Sequence, residues 1–155
     1  MTRYPILAAG LLLGLSVAVP AAAQSAGSMM EGLPPPGTMS RNLPEGMELY
    51  MSLWVSDSAQ EVTNGVGGTA VEAKVRTRMD CQKKAQDCAE LVTMPVRNHC
   101  MAIAGDRGAT PGKRAIFAAT GEAGKQADGV LGQKVLAECK ASGAQQCEVQ
   151  IEYCF

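Results

Sequence analysis

The chain has 155 residues and a formal net charge of −1, with 14 Lys and Arg against 15 Asp and Glu, a single His, and 4% aromatic residues. A chain this close to neutrality lacks the field that holds a phosphate backbone, and so few rings offer no base-stacking platform, which excludes nucleic acid as the expected partner. The length suffices for one modest core, which covalent staples would help to hold.

The first residues place Arg3 before the apolar run from Ile6 to Val19, then Pro20 and the small residues Ala21, Ala22 and Ala23. That order reads as a cleavable signal peptide over residues 1–23, with cleavage between Ala23 and Gln24. The run falls short of the roughly 20 residues that cross a bilayer, and no cysteine near the cleavage site offers a lipid acceptor, so no stable membrane anchor is expected. The expected location is periplasmic or secreted. From Gln24 to Gly46 the chain is rich in Gly, Ser, Met and Pro, with Pro34, Pro35, Pro36 and Pro44, and reads as a disordered linker over 24–46. Met29, Met30, Met39, Met47 and Met51 carry soft thioethers of the kind Cu(I) accepts, but their spacing is irregular and no His accompanies them, so no copper site is expected.

The globular domain is expected over 47–155, as two weak repeats. The first opens with a strand at Leu49 to Ser56, passes a glycine loop at Gln60 to Gly68, and enters a helix capped by Thr69. In that helix Val71, Val75 and Met79 recur at helical spacing and predict one apolar stripe, ending at Cys81. Cys88 then leads into a strand from Ala89 to Val96. The second repeat opens at Cys100 with Met101 to Ala104, crosses a loop at Gly105 to Gly112, and continues through the apolar Ala115 to Ala119. A helix follows in which Ala127, Leu131 and Val135 form the stripe up to Cys139, and strict alternation from Cys147 to Cys154 sets Val149, Ile151 and Tyr153 on one face of a strand. The expected class is α+β: a small disulfide-stapled domain with two helices packed on a mainly antiparallel sheet.

All six cysteines fall in this domain, and in an oxidising compartment an even set defaults to disulfides. A zinc site would need an all-thiolate tetrahedron at unusual spacings, since no C-x-x-C pair exists, so neither metal nor cofactor is expected. A helix that turns straight back into a strand brings Cys81 near Cys88 and Cys139 near Cys147, which leaves Cys100 for Cys154. Six cysteines allow fifteen pairings, and this one rests on the repeat.

The run Asn98-His99-Cys100-Met101-Ala102-Ile103-Ala104, followed by Val135-Leu136-Ala137-Glu138-Cys139, a turn, Cys147, a strand and Cys154, resembles the secreted bacterial family catalogued as domain of unknown function 4189. Trp54 fits the Trp-led first strand of that family, while Arg78 stands where it prefers Leu and Glu90 where a strand apolar is expected. The resemblance covers about 49–155 and implies a small exported α+β domain, with no established catalytic residues to carry over.

His99 is the only histidine, the residue type best suited to general-base work, and it adjoins a cysteine that the pairing consumes. The Gly112-Lys113 step is followed by Arg114, so the phosphate-cradling pattern fails. The expected function is therefore that of a non-enzymatic module binding another exported protein, such as an inhibitor or immunity protein against an exported toxin or cell-wall hydrolase. Its candidate contacts are Asn64 in the first glycine loop and Asp106, Arg107, Lys113 and Arg114 around the second. The alternatives are a secreted effector and, less favoured, a hydrolase using carboxylates such as Asp57, Glu61 and Asp106.

Overall fold

A computed structural model describes residues 34–125 and 127–155. The predicted signal peptide and the 24–33 part of the predicted linker lie outside the described residues. The described chain runs α1 (Thr38–Asn42), β1 (Tyr50–Ser56), β2 (Glu61–Gly67), α2 (Ala70–Gln82), β3 (Cys88–Pro95), β4 (His99–Asp106), β5 (Ile116–Glu122), α3 (Val130–Ala141) and β6 (Cys147–Cys154). The class is α+β, and the strands form two three-stranded antiparallel sheets of order β2-β1-β3 and β5-β4-β6.

The repeat is real and carries one more strand than the sequence pattern shows. Each unit is strand, strand, helix, strand, with the first strand central, and each helix packs on its own sheet. Alternation along the central strands explains the layering. Met51, Leu53 and Val55 of β1 and Met101 and Ile103 of β4 join Met94, Ile116, Ile151, Tyr153 and Phe155 in one core between the sheets. The residues between them face the helices. For β4 these are Ala102 and Ala104, which pack with Leu131, Val135 and Cys139 of α3.

Both units share a second device. The register of β1 against β3 skips one residue between Val92 and Glu90, and that of β4 against β6 skips one between Ile151 and Val149. Each skip is a β-bulge, which moves the residues beyond it to the opposite face. Val149 therefore leaves the face of Ile151 and Tyr153, contrary to the alternation in the sequence, and lies beside Gly132 of α3. In β3 the same shift carries Glu90 opposite Trp54 on the α2 side, where Lys74 pairs with it at 3.0 Å. A charge at this position is thus accommodated by the partner helix.

All six cysteines pair as the repeat predicts: Cys81–Cys88, Cys139–Cys147 and Cys100–Cys154. The first two tie the end of each helix to the start of the following strand. Cys100 and Cys154 face each other across β4 and β6.

Four further expectations need correction. The predicted glycine loop at 60–68 is largely β2, so Asn64 lies on a strand opposite Leu53. The turn is made upstream, where Gln60 takes a φ of 52°. Gly65 and Gly67 serve packing: a Cβ on Gly67 would stand 2.6 Å from the Ala73 amide nitrogen of α2. The stripe Val71, Val75 and Met79 faces solvent, and Ala73, Thr77 and Cys81 are the buried residues of α2. The Thr69 cap holds, its hydroxyl accepting from the Glu72 amide at 3.1 Å. Ala127 is exposed and precedes α3, which starts after Gly129 at φ 81°.

The fourth correction concerns residues 34–46, which dock on the domain as a strap and carry a helix. The Ser40 hydroxyl donates to the Phe155 carbonyl at 2.6 Å and accepts from the Asn98 amide at 2.9 Å. Tyr153 donates to the Pro34 carbonyl at 2.7 Å, and burial raises its phenol pKa. Arg97 donates to the carbonyls of Leu43, Pro44 and Met47, while Met39 and Leu43 pack on the core between the sheets. Glycine and proline content reads as disorder when these partners, distant in sequence, are not in view.

Candidate functional site

The two units differ most in their loops. The β1–β2 connection is residues 57–60, whereas the β4–β5 connection is residues 107–115. Between this longer loop and the 142–146 turn that follows α3 lies a cleft of about 580 Å³. Asp106, Thr110, Lys113, Arg114, Ser142 and Gln146 are among its lining residues.

Its frame is held from several sides. Asp106 ends β4 and is nearly buried, and one of its carboxylate oxygens accepts from the Gly108 amide at 3.0 Å and the Gln146 amide at 2.9 Å. A single carboxylate thus fixes both walls. Cys139–Cys147 closes the base of the 142–146 turn. Arg107 is turned onto Glu148 of β6, outside the lining. On the far side Arg114 donates to Asp57 at 2.7 Å, and the Gly112 amide to the Asp57 carbonyl at 2.8 Å, which ties the long loop to the short turn of the first unit. Lys113 is exposed, and its ammonium group has no partner among the described residues.

Of the five contact residues expected from sequence, Asp106, Lys113 and Arg114 come together at this cleft, Arg107 stands next to it, and Asn64 lies on the other sheet. Sequence reasoning missed the opposite wall, residues 142–146. Its signal was present in the repeat, since each unit closes a short turn between a helix-ending and a strand-opening cysteine.

The corresponding corner of the first unit is filled. Ser56 occupies the place of Asp106, each pairing with the cysteine that opens the third strand of its unit. Asp87, from the turn after α2, accepts from the Ser56 hydroxyl at 2.7 Å and from the Ser58 hydroxyl and amide, each at 2.7 Å. These bonds, that of the Ser56 hydroxyl first, hold its carboxyl well below the usual range, at about 2. A depressed carboxylate contributes stability that is present above its unfolded-state pKa and lost as pH falls through its folded value. The melting temperature is expected to fall between about pH 4 and pH 2, and Asp87→Asn is expected to flatten that segment in a thermal series across pH. An unchanged profile in the variant would remove Asp87 from the account.

Other chemistry-bearing groups are dispersed. His99 stands at the opposite end of β4 from Asp106, its Nδ1 2.9 Å from the Arg97 carbonyl oxygen. The carboxylates weighed for hydrolysis have separate structural tasks: Asp57 on Arg114, Glu61 on Lys84, and Asp106 on two amides. No group of three or more His, Cys, Asp or Glu able to hold a metal occurs among the described residues.

No curated protein and no solved structure matches the chain. The profile of a family described as domain of unknown function (DUF4189) matches residues 50–154, from the first residue of β1 to the last of β6. That span takes in both units, all three disulfides and the cleft between the 107–115 and 142–146 loops, and the chain belongs to this family.

Proposed function

We propose that this chain is an exported, non-enzymatic binding module that receives an acidic loop of another exported protein in the cleft between the 107–115 and 142–146 loops. The observation that carries this reading is Lys113, whose ammonium has no partner among the described residues, at a cleft whose other charges are internally matched. An unmatched cation gains a charge-assisted bond on binding, and the frame that carries it is already ordered, so the entropy cost is that of the one side chain. The three disulfides fit an oxidising compartment, and no helix among the described residues is long and apolar enough to cross a membrane. Within this reading, an inhibitor or immunity protein acting on an exported toxin or cell-wall hydrolase is the preferred role. Growth arrest on periplasmic expression would replace it with an effector role.

The test is co-purification from the cell envelope with the native sequence and with Lys113→Glu. The native protein is expected to retain a specific exported partner, and charge reversal to weaken its capture at least tenfold while the melting temperature stays within about 2 °C, as for other exposed surface changes. Equal recovery with both proteins, or no partner with either, would overturn the cleft as the binding site.

A further inference from the structure

Helix α2 carries its large apolar side chains on the face turned away from its own sheet. Val71, Val75 and Met79 are 71%, 53% and 57% exposed, whereas Ala73, Thr77 and Cys81 are buried. Residues two apart on a helix lie about 200° apart around its axis, so the stripe points outward from the molecule. The second unit supplies an internal control. With the helix-ending cysteines Cys81 and Cys139 aligned, buried Ala73 and Thr77 correspond to buried Leu131 and Val135 of α3, and exposed Val71, Val75 and Met79 correspond to Gly129, Gln133 and Ala137. An equivalent sheet, connection and disulfide therefore work with a helix that carries polar or small residues at these three positions. On α2 the pattern is inverted, and the inner seam is closed by hydroxyls: Ser52 bonds Thr93 at 2.8 Å and accepts from the Trp54 indole at 3.1 Å.

Charge marks the same helix. The chain as a whole is net −1, yet residues 70–84 hold Lys74, Arg76, Arg78, Lys83 and Lys84 against Glu72 and Asp80. Lys74, Arg76, Lys83 and Lys84 pair with Glu90, Glu72, Asp80 and Glu61. Arg78, beside the stripe, is exposed and has no partner among the described residues.

We infer that the outer face of α2 is a docking surface for a partner protein segment that presents an apolar strip flanked by carboxylates. The apolar strip covers Val71, Val75 and Met79, and a carboxylate meets the Arg78 guanidinium. This surface is separate from the Lys113 cleft. An antiparallel twofold pairing of α2 with a second copy sets like flanks together, so Arg78 and Lys74 would face their own counterparts. For a bilayer, a helix clamped on a sheet with three aliphatic side chains and no aromatic anchor buries too little.

The experiment titrates the oxidised protein with two synthetic helical peptides that share a Leu strip, one flanked by Glu and the other by Lys. Affinity is read by fluorescence anisotropy and location by amide chemical shifts. The Glu-flanked peptide is expected to bind at least tenfold more tightly and to move resonances of residues 71–79. Val75→Lys should cut that affinity at least tenfold, Arg78→Glu should reverse the preference between peptides, and Gln133→Lys on α3 should leave both unchanged. Positions 75 and 78 are exposed, so unchanged melting curves certify the fold of the variants. The inference is overturned if the peptides bind alike or not at all, or if the shifts map elsewhere. It is also overturned if Val75→Lys abolishes self-association in sedimentation, or flotation with phosphatidylglycerol vesicles, while peptide binding persists.

Discussion

Gly67→Ala is expected to lower stability by about 2–3 kcal/mol, the scale of inserting an atom into a well-packed layer. Gly67 does not use the left-handed backbone region reserved to glycine, so an added methyl would ordinarily stabilise by about 0.4–1 kcal/mol through the unfolded chain. Contact reverses the sign. The new Cβ would stand 2.6 Å from the Ala73 nitrogen and 3.0 Å from the Glu72 Cβ, and helix backbone cannot yield as a flexible side chain can. α2 must lift from β2, and the melting temperature should drop by roughly 10 °C. Gly68→Ala is the control, because its nearest atom is a carboxylate oxygen at 3.6 Å, and it should stay within about 0.5 kcal/mol of the native protein. Thermal unfolding followed by circular dichroism decides the matter; equal stability of the two variants would refute the close approach of α2.

The paired change Cys100→Ala with Cys154→Ala is expected to cost about 4 kcal/mol, the largest effect of any disulfide removal here, while Cys81→Ala with Cys88→Ala should cost about 2 kcal/mol. The difference follows from chain entropy. The first link closes a separation of 54 residues and the second a separation of 7, so the unfolded chain regains far more freedom when the first is lost. Cys100 and Cys154 also join the first and last strands of the second unit, next to Phe155 and the Ser40 strap. Denaturant titrations of both double variants test the order. Equal losses would mean that the loop-closure argument does not govern this fold.

The pairing of the cysteines was legible because the repeat places a helix end and a strand start at equivalent points of both units. The stripe of α3 was legible because Leu131, Val135 and Cys139 obey the ordinary rule that the apolar face turns inward. α2 breaks that rule, and nothing local in Val71, Val75 and Met79 distinguishes an outward stripe from an inward one. The glycines at 65 and 67 resemble turn formers, yet their role is to admit a helix that follows later in the chain. The bulges at Leu91 and Gln150 escape any reading by alternation, since period two assumes an unbroken register. At the cleft, Asp106, Lys113 and Arg114 stood out as charges on a glycine-containing loop. Their facing wall carries Gln145 and Gln146, whose residue types signal nothing until the disulfide sets the turn beside Asp106.

The connectivity of the disulfides also bears on how the chain matures. Two of the links join neighbouring cysteines, but Cys100–Cys154 encloses Cys139–Cys147. In a chain that emerges N-terminus first, Cys81 and Cys88 come first and are 7 residues apart, so they would meet before the later cysteines appear. Cys100 precedes Cys139 and Cys147, so oxidation in order of appearance would join it to Cys139. The native set is reached from there by thiolate exchange, at rates of seconds to hours that an isomerase shortens. Oxidation in order of appearance would thus give the native link directly in the first unit, whereas the second would reach its native pair only through exchange.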